Sequence, residues 1–193
     1  MTPPAGAPQR QHRICRAVLV GLGVAGVLAA HAAPHRPASG QATGRAAGQA
    51  VTGIVTAISD GDTVRVATVS GEDLGRVRLL GIDAPELAHD GRPGQCWATQ
   101  SRTALVELVP VGSSVELVPD PTQADRDSSG RLLRYLYRGG RDIQQVLVTQ
   151  GHARAFWPHG PGTQAVAYRQ AAAGAEHGHR GLWAACPSGG APR

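Results

Sequence analysis

Three short segments with β-strand character constrain the fold of this chain more than any other feature. Val51–Ile58 is rich in β-branched residues, Thr63–Val69 alternates apolar and polar positions, and Gly75–Ile82 follows as a third strand. The connections between them, Asp60-Gly61-Asp62 and Ser70-Gly71-Glu72-Asp73, carry residues that favour turns. Strands joined by such short turns pair in antiparallel order. The sequence therefore predicts a three-stranded antiparallel meander.

The periodicity changes after the meander, which predicts helices and two further strands. Cys96–Leu108 repeats apolar residues at helical spacing and is followed by Pro110, which stops a helix. The remaining predicted elements are two strands and two helices, with Asp142 and Thr163 as helix caps: Val115–Val118, Leu132–Tyr137, Asp142–Gln150 and Thr163–Ala175. The predicted fold class is α+β, a five-stranded OB-fold barrel with three α-helices.

The first 32 residues have the features of a secretory signal peptide. Three arginines precede an uncharged run, Ala17–Ala30, and Ala30-His31-Ala32 forms a small-x-small cleavage signal. The run is shorter than the roughly 20 apolar residues that a membrane span needs. An uncleaved signal anchor and an amphipathic core helix remain as alternatives. We expect the mature chain to begin at Ala33, outside the cell and free of the membrane.

Composition predicts one folded domain with unstructured flanks. Residues 33–50 lack apolar periodicity and are rich in Ala, Gly, Pro and Ser, as in a disordered linker. Residues 51–186 are enough for one domain with its own core. Residues 187–193 are expected to form a disordered tail.

The net charge is a weak argument for a polyanionic partner. Three of the 19 basic residues precede Ala33 and no acidic residue does, so the formal charge of +5 falls to +2 in the mature chain. Attraction for phosphate would have to come from local clustering of arginines. The sequence places such a cluster at Arg126, Arg131, Arg134, Arg138 and Arg141.

Cysteine usage is consistent with export. Cys15 lies in the signal segment, so the mature chain keeps Cys96 and Cys186. Two cysteines in an exported protein predict one disulfide, although two unrelated buried thiols remain possible.

Carboxylates and arginines gather at the ends of the predicted strands. They lie in Asp60-Gly61-Asp62-Thr63 and in Arg78–Glu86, and Arg131 follows in a later turn. Carboxylate oxygens suit Ca²⁺ or Mg²⁺, and guanidinium forks suit phosphate. Because strict alternation would put Arg78 and Asp83 on opposite faces, one site requires a backbone irregularity between Gly81 and Pro85.

The motifs DGDT, RLLGIDAPE, DSSGRLLRYLY and IQQVLVTQGHA, in this order, closely resemble the staphylococcal-nuclease-like (thermonuclease) family. The resemblance extends from about Val51 to Trp183. It implies that Asp62, Asp83 and the backbone carbonyl of Ala84 bind Ca²⁺. It also implies that Asp60 matches an acidic residue that supports the calcium site without binding the cation.

The resemblance implies a role in catalysis for three more residues. Glu86 matches the proposed general base, and Arg78 and Arg131 match the arginines that bind the scissile phosphate. Trp157 lies roughly where the family keeps tyrosines against the nucleotide; it would stack on a base or cover the barrel end. Ser128-Ser129 departs from the family's basic–aromatic pair, which bears on substrate affinity.

The function implied is that of a secreted, calcium-dependent, monomeric nuclease. It would cut single-stranded or loosened DNA and RNA with little sequence specificity and leave 3′-phosphate ends. The alternative is a non-catalytic OB-fold module that binds single strands by stacking and a basic groove. The retained carboxylates and the seven aromatic residues of the whole chain argue against that alternative.

Overall fold

The computed structural model describes residues 48–187. The predicted signal peptide, most of the predicted linker and residues 188–193 of the predicted tail lie outside the described residues. In chain order the elements are β1 Val51–Ile58, β2 Thr63–Thr68, β3 Asp73–Leu79, β4 Ile82–Asp83, α1 Ala98–Leu108, β5 Ser114–Val118, β6 Leu132–Arg138, β7 Arg141–Asp142, α2 Ile143–Thr149, β8 Arg154–Ala155, α3 Ala165–His177 and α4 Leu182–Ala185.

Five of these strands form a closed barrel. β1 pairs antiparallel with β2 and with β5, β2 pairs with β3, and β5 pairs with β6. The barrel closes because β6 returns parallel to β3, with Val77 beside Leu132. Helix α1 lies between the third and fourth barrel strands in the chain. The α+β fold with a five-stranded OB-type barrel is therefore confirmed, and so is the antiparallel meander.

Aliphatic side chains fill the barrel. Each strand turns alternate residues inward, so the short apolar runs of the sequence meet in one core. The core residues that are 1% exposed or less include Val55, Val64, Val66, Val77, Leu79, Leu105, Leu117, Leu136 and Leu147. The aromatic rings of Tyr135 and Tyr168 are also fully buried, and they meet edge to face with centroids 6.0 Å apart.

The helices differ from the prediction in number and in one cap. The described residues contain four helices rather than three, because α4 follows the glycines of the C-terminal segment. Asp142 caps α2 as predicted, accepting a hydrogen bond from the Gln145 amide at 3.0 Å. Thr163 does not cap α3, which begins after Gln164 without a side-chain cap. The Thr163 amide and hydroxyl instead donate to the buried carboxylate of Asp120.

A disulfide joins Cys96 to Cys186, with 5.8 Å between their Cα atoms. It links the turn before α1 to the residue after α4. Within residues 48–187, none of the helices combines the length and the apolar content that crossing a bilayer requires.

Candidate active site

The turn between β1 and β2 brings Asp62 into the interior. The Asp60 carboxylate accepts a hydrogen bond from the Asp62 amide at 3.0 Å, which is the local bond of an Asx turn. A side chain at Gly61 would place its Cβ 2.7 Å from the Ala84 Cβ and 2.8 Å from the Ser101 Cβ. Only glycine therefore lets this turn lie against the rest of the site, and Asp62 is 1% exposed.

Arg78 of β3 connects two buried carboxylates. Its Nη1 lies 2.7 Å from Oδ2 of Asp62, and its Nη2 lies 3.1 Å from Oδ1 of Asp83. The Arg78 side chain is 12% exposed, so this is a largely buried network of one cation and two anions. Ala84 adds its amide, which donates to Oδ2 of Asp62 at 2.8 Å.

The predicted backbone irregularity is present between β3 and β4. Gly81 has a φ of +76°, a conformation that other residues rarely adopt, and a Cβ there would lie 2.6 Å from the Trp157 ring. β3 therefore ends at Leu79, and β4 turns away to pair with β8. This turn lets Asp83 meet Arg78 although the two are five residues apart.

A cavity of about 220 Å³ opens beside this network. It brings together Arg78, Asp83 and Arg131, which come from three different segments. The residues that line it are Arg78–Asp83, Gln123, Asp127, Arg131, Leu133 and Phe156–His159. Two guanidiniums and two carboxylates, those of Asp83 and Asp127, thus surround a small cavity, an arrangement suited to a phosphate ester and its cation.

Arg131 is oriented by a carboxylate from its own turn. Its Nε lies 2.7 Å from Oδ2 of Asp127, and its amide donates to Oδ1 at 3.0 Å. Partial burial favours the protonated form of Asp127, but these bonds from Arg131 outweigh it and hold the pKa of Asp127 below its usual value. Arg131 therefore forms an ion pair with Asp127 and still lines the cavity.

Glu86 lies in the segment after β4, three residues beyond Asp83. Its amide donates to Oε1 of Gln95 at 2.8 Å, and its carbonyl accepts from the Gln95 amide at the same distance. The Glu86 residue is half-buried, and it is not among the described residues that line the cavity. Its role as a base remains a prediction.

Trp157 lies at the cavity and also packs against the hydrophobic core. Its ring stacks on Tyr168 with centroids 5.9 Å apart, and the Arg169 guanidinium lies 5.6 Å from the ring centre. Contact with Gly81 and half-burial indicate a packing role for the ring. Base stacking by Trp157 remains a prediction.

The donor atoms fit a hard divalent cation. Ca²⁺ takes roughly six to eight oxygen ligands, which can include carboxylates, backbone carbonyls and water. Asp62 and Asp83 lie close enough together for one guanidinium to contact both. No group of three or more His, Cys, Asp or Glu side chains in residues 48–187 is arranged to hold an ion. A calcium site here would need carbonyl, water or substrate oxygens as well.

Two contacts around the site were not predicted from the sequence. Asp120, 4% exposed, accepts hydrogen bonds from the Tyr135 hydroxyl at 2.6 Å and from the Thr163 amide at 2.7 Å. Arg154 lies opposite Asp83 in the β4–β8 pair, and its guanidinium lies 5.2 Å from the centre of the Trp183 ring. Neither residue belongs to a motif, so the sequence carried no signal for these contacts.

The fold and the site define a class of protein, a small OB-type barrel with a carboxylate–arginine site beside its third strand. A family model described as "Staphylococcal nuclease homologue" matches residues 76–185, which is more than half of the chain. The chain therefore belongs to the staphylococcal nuclease family. The matched region includes the arginines at 78 and 131, whereas Asp60 and Asp62 precede it.

Similar proteins carry nuclease names. "SPbeta prophage-derived endonuclease YokF" of Bacillus subtilis (strain 168) is 34% identical over 106 residues, covering 54% of this chain and 34% of that protein. "Endonuclease YncB" of the same organism is 32% identical over 106 residues, covering 54% and 48%. "Probable staphylococcal-like nuclease CAN2" of Oryza sativa subsp. japonica is 34% identical over 109 residues, covering 56% and 26%. The matched region thus spans less than half the length of each relative.

Proposed function

We propose that this chain is an exported, calcium-dependent nuclease that hydrolyses phosphodiester bonds in DNA and RNA. One observation carries the proposal: Arg78 joins two buried carboxylates at the edge of a cavity that Arg131 also lines. Membership of the staphylococcal nuclease family and the nuclease names of its relatives support hydrolysis as the reaction.

The arginines would bind the scissile phosphate. A guanidinium has five N–H donors, and Arg78 gives three of them to Asp62, Asp83 and the Leu79 carbonyl, so two remain for phosphate. Arg131 donates its Nε–H to Asp127, and the N–H groups of its two terminal nitrogens would bind phosphate. Such donors stabilise the charge that builds up on phosphoryl oxygens, and losing one typically costs roughly 100- to 1000-fold in rate.

The carboxylates would have two different tasks. Asp62 and Asp83, with the Ala84 carbonyl, would hold Ca²⁺, and Asp60 would keep the Asp62 turn in place. A bound cation supplies polarisation of a phosphoryl oxygen and orientation of water. Glu86 would take the proton of the attacking water. The P–O5′ bond would break as the new P–O bond forms, leaving a 3′-phosphate and a 5′-hydroxyl.

Little sequence specificity is expected, because contacts to phosphate position a strand without reading its bases. Single-stranded or loosened DNA and RNA are the proposed substrates, and the protein is proposed to act as a monomer. Export is supported by the signal-like first 32 residues and by the disulfide. An intact mass of secreted protein beginning at Ala33 would support cleavage, whereas membrane-bound full-length chain would indicate an uncleaved anchor.

The decisive test is a cleavage assay with the purified protein on denatured DNA and on RNA. We expect cleavage with Ca²⁺ and none with chelator. Glu86→Gln is expected to reduce the rate at least about 100-fold, the usual contribution of a general base. Glu116→Gln, a matched change at an exposed strand residue, should retain the wild-type rate.

Three outcomes would contradict parts of the proposal. Equal cleavage in chelator would exclude the calcium dependence. Full activity of Glu86→Gln would remove Glu86 from catalysis. Salt-sensitive binding of single strands without any cleavage would favour the binding module instead.

A further inference from the structure

Arginines line up on the outer face of the barrel beside the cavity. Arg65 of β2 lies opposite Arg76 of β3 in the antiparallel register. Arg78 follows Arg76 by two residues, so the two share a face of β3. The burial of β3 agrees, because Val77 and Leu79 are buried while Arg76 is exposed and Arg78 is partly exposed.

Arg131 precedes β6, which pairs with β3 on the side away from β2. The parallel register puts Leu132 of β6 beside Val77 of β3. Extending this register by one residue places Arg131, which precedes β6, beside Arg76. Since neighbouring strands lie about 4.8 Å apart, Arg76 lies about one strand spacing from Arg65 on one side and from Arg131 on the other.

Arg76 differs from its neighbours because no carboxylate is bound to it. Asp73 forms an ion pair with Arg65, and Asp127 forms one with Arg131. Within residues 48–187, the Arg76 side chain forms none of the hydrogen bonds or ion pairs that its arginine neighbours form with Asp73 and Asp127. An exposed guanidinium between other guanidiniums, without an acid of its own, favours an anion as its partner.

We propose that Arg76 binds the phosphate next to the scissile one, so that a single strand leaves the site across β3 towards Arg65. This inference rests on the proposed function, because it takes Arg78 and Arg131 as the scissile-phosphate site. Arg76 and Arg78 are about 6.6 Å apart along the strand, a separation that neighbouring phosphates of an extended nucleic acid can match. The ligand is thus a run of phosphodiesters, and the contact adds affinity without base preference.

The arginines that cluster in the sequence do not form this surface. Arg134 is 7% exposed and bound to Asp125 at 2.5 Å. Arg138 is the last residue of β6, about 20 Å along the strand from Arg131, and Arg141 of β7 pairs with it. Arg141 is exposed, so it offers a matched control for a charge change on the same barrel.

The test measures binding of a labelled oligothymidylate as a function of salt, in chelator so that the strand stays intact. The full chain is compared with Arg76→Gln, Arg76→Lys and Arg141→Gln. Each phosphate contact contributes about 0.7 to the slope of log K against log salt for single strands. We expect Arg76→Gln to reduce the slope by about 0.7 and to weaken binding at low salt. Arg76→Lys should retain the slope, and Arg141→Gln should not change it.

Each other outcome has a defined meaning. An unchanged slope in Arg76→Gln would overturn the inference, as would an equal reduction in Arg141→Gln. Polyglutamate that competes as well as the oligonucleotide, with the same dependence on Arg76, would overturn it in favour of an unselective anion surface. A reduced slope in a protein that never cleaves would uphold the contact and contradict the nuclease. Cleavage by the wild-type protein together with an unchanged slope in Arg76→Gln would support the nuclease and contradict the phosphate contact of Arg76.

Discussion

At the scale of single residues, Arg78 connects the two buried carboxylates of the site and also lines its cavity. It lies between Asp62 and Asp83 at 2.7 and 3.1 Å, and all three are largely buried. Burial is costly for each of these charges, and their mutual attraction offsets the cost only while all three are present. The same guanidinium therefore has a structural and a proposed catalytic task.

We expect Arg78→Met to lower the free energy of unfolding by about 3 kcal/mol, because two buried carboxylates would lose the cation between them. Chemical denaturation in chelator measures this change. Arg65→Met is the matched control, since the pair with Asp73 is about half exposed on both sides and such pairs contribute little. Equal stability of the two variants would contradict the structural task of Arg78.

At the scale of elements, Asp120 holds two segments on the barrel. Its carboxylate accepts from Tyr135 of β6 and from Thr163 before α3. Gly162 allows this approach, since a Cβ there would lie 2.6 Å from both Oδ2 of Asp120 and the Tyr135 hydroxyl. Burial favours the neutral acid, but hydrogen bonds from Tyr135, Thr122 and Thr163 outweigh it and lower the pKa of Asp120 to about 2.

The low pKa predicts a dependence of stability on pH. An unfolded Asp titrates near 3.8, so the Asp120 carboxylate stabilises the fold above that pH and loses its contribution as the pH falls towards 2. Asp120→Asn should cost about 2 kcal/mol near neutral pH, and the difference from wild type should shrink between about pH 4 and pH 2.

Denaturation series at several pH values measure this difference. Asp90→Asn, at an exposed loop position, serves as the matched control and should follow the wild-type profile. A constant difference between Asp120→Asn and wild type across this range would show that the carboxylate charge contributes nothing.

At the scale of the whole molecule, the disulfide ties the C-terminal segment to the barrel. Cys96 and Cys186 are 90 residues apart in sequence, and the amide of Leu182 in α4 also donates to the Gly151 carbonyl at 2.9 Å. The guanidinium of Arg154 lies over Trp183 of α4. The bridge therefore keeps α4 against the strand that pairs with the Asp83 segment.

Reduction of the disulfide should lower the free energy of unfolding by about 3 kcal/mol, since it frees the unfolded chain from a long closed loop. Thermal melts with and without reductant measure the effect. The double variant Cys96→Ser with Cys186→Ser should melt at the temperature of the reduced wild-type protein. Reductant should not change the melting temperature of this variant. A wild-type protein that melts identically in both conditions would contradict this prediction.

The amino-acid sequence by itself determined the elements and the motifs. The alternation of Thr63–Val69, the turn at Asp60–Asp62 and the cap at Asp142 depend on neighbours within a few residues, so local chemistry was enough to predict them. The order of the first three strands followed from their short connections. The irregularity at Gly81 followed from the requirement that Arg78 and Asp83 share one site.

Only the tertiary structure decided which side chains meet. Thr163 bonds Asp120 across 43 residues instead of capping α3, because a buried carboxylate offers it a partner that the helix does not. Arg131 and Arg138 lie at opposite ends of β6, whereas strand pairing brings Arg76 between Arg65 on one side and Arg131 on the other. Strand pairing and barrel closure create such contacts, and they depend on which segments become neighbours rather than on local spacing.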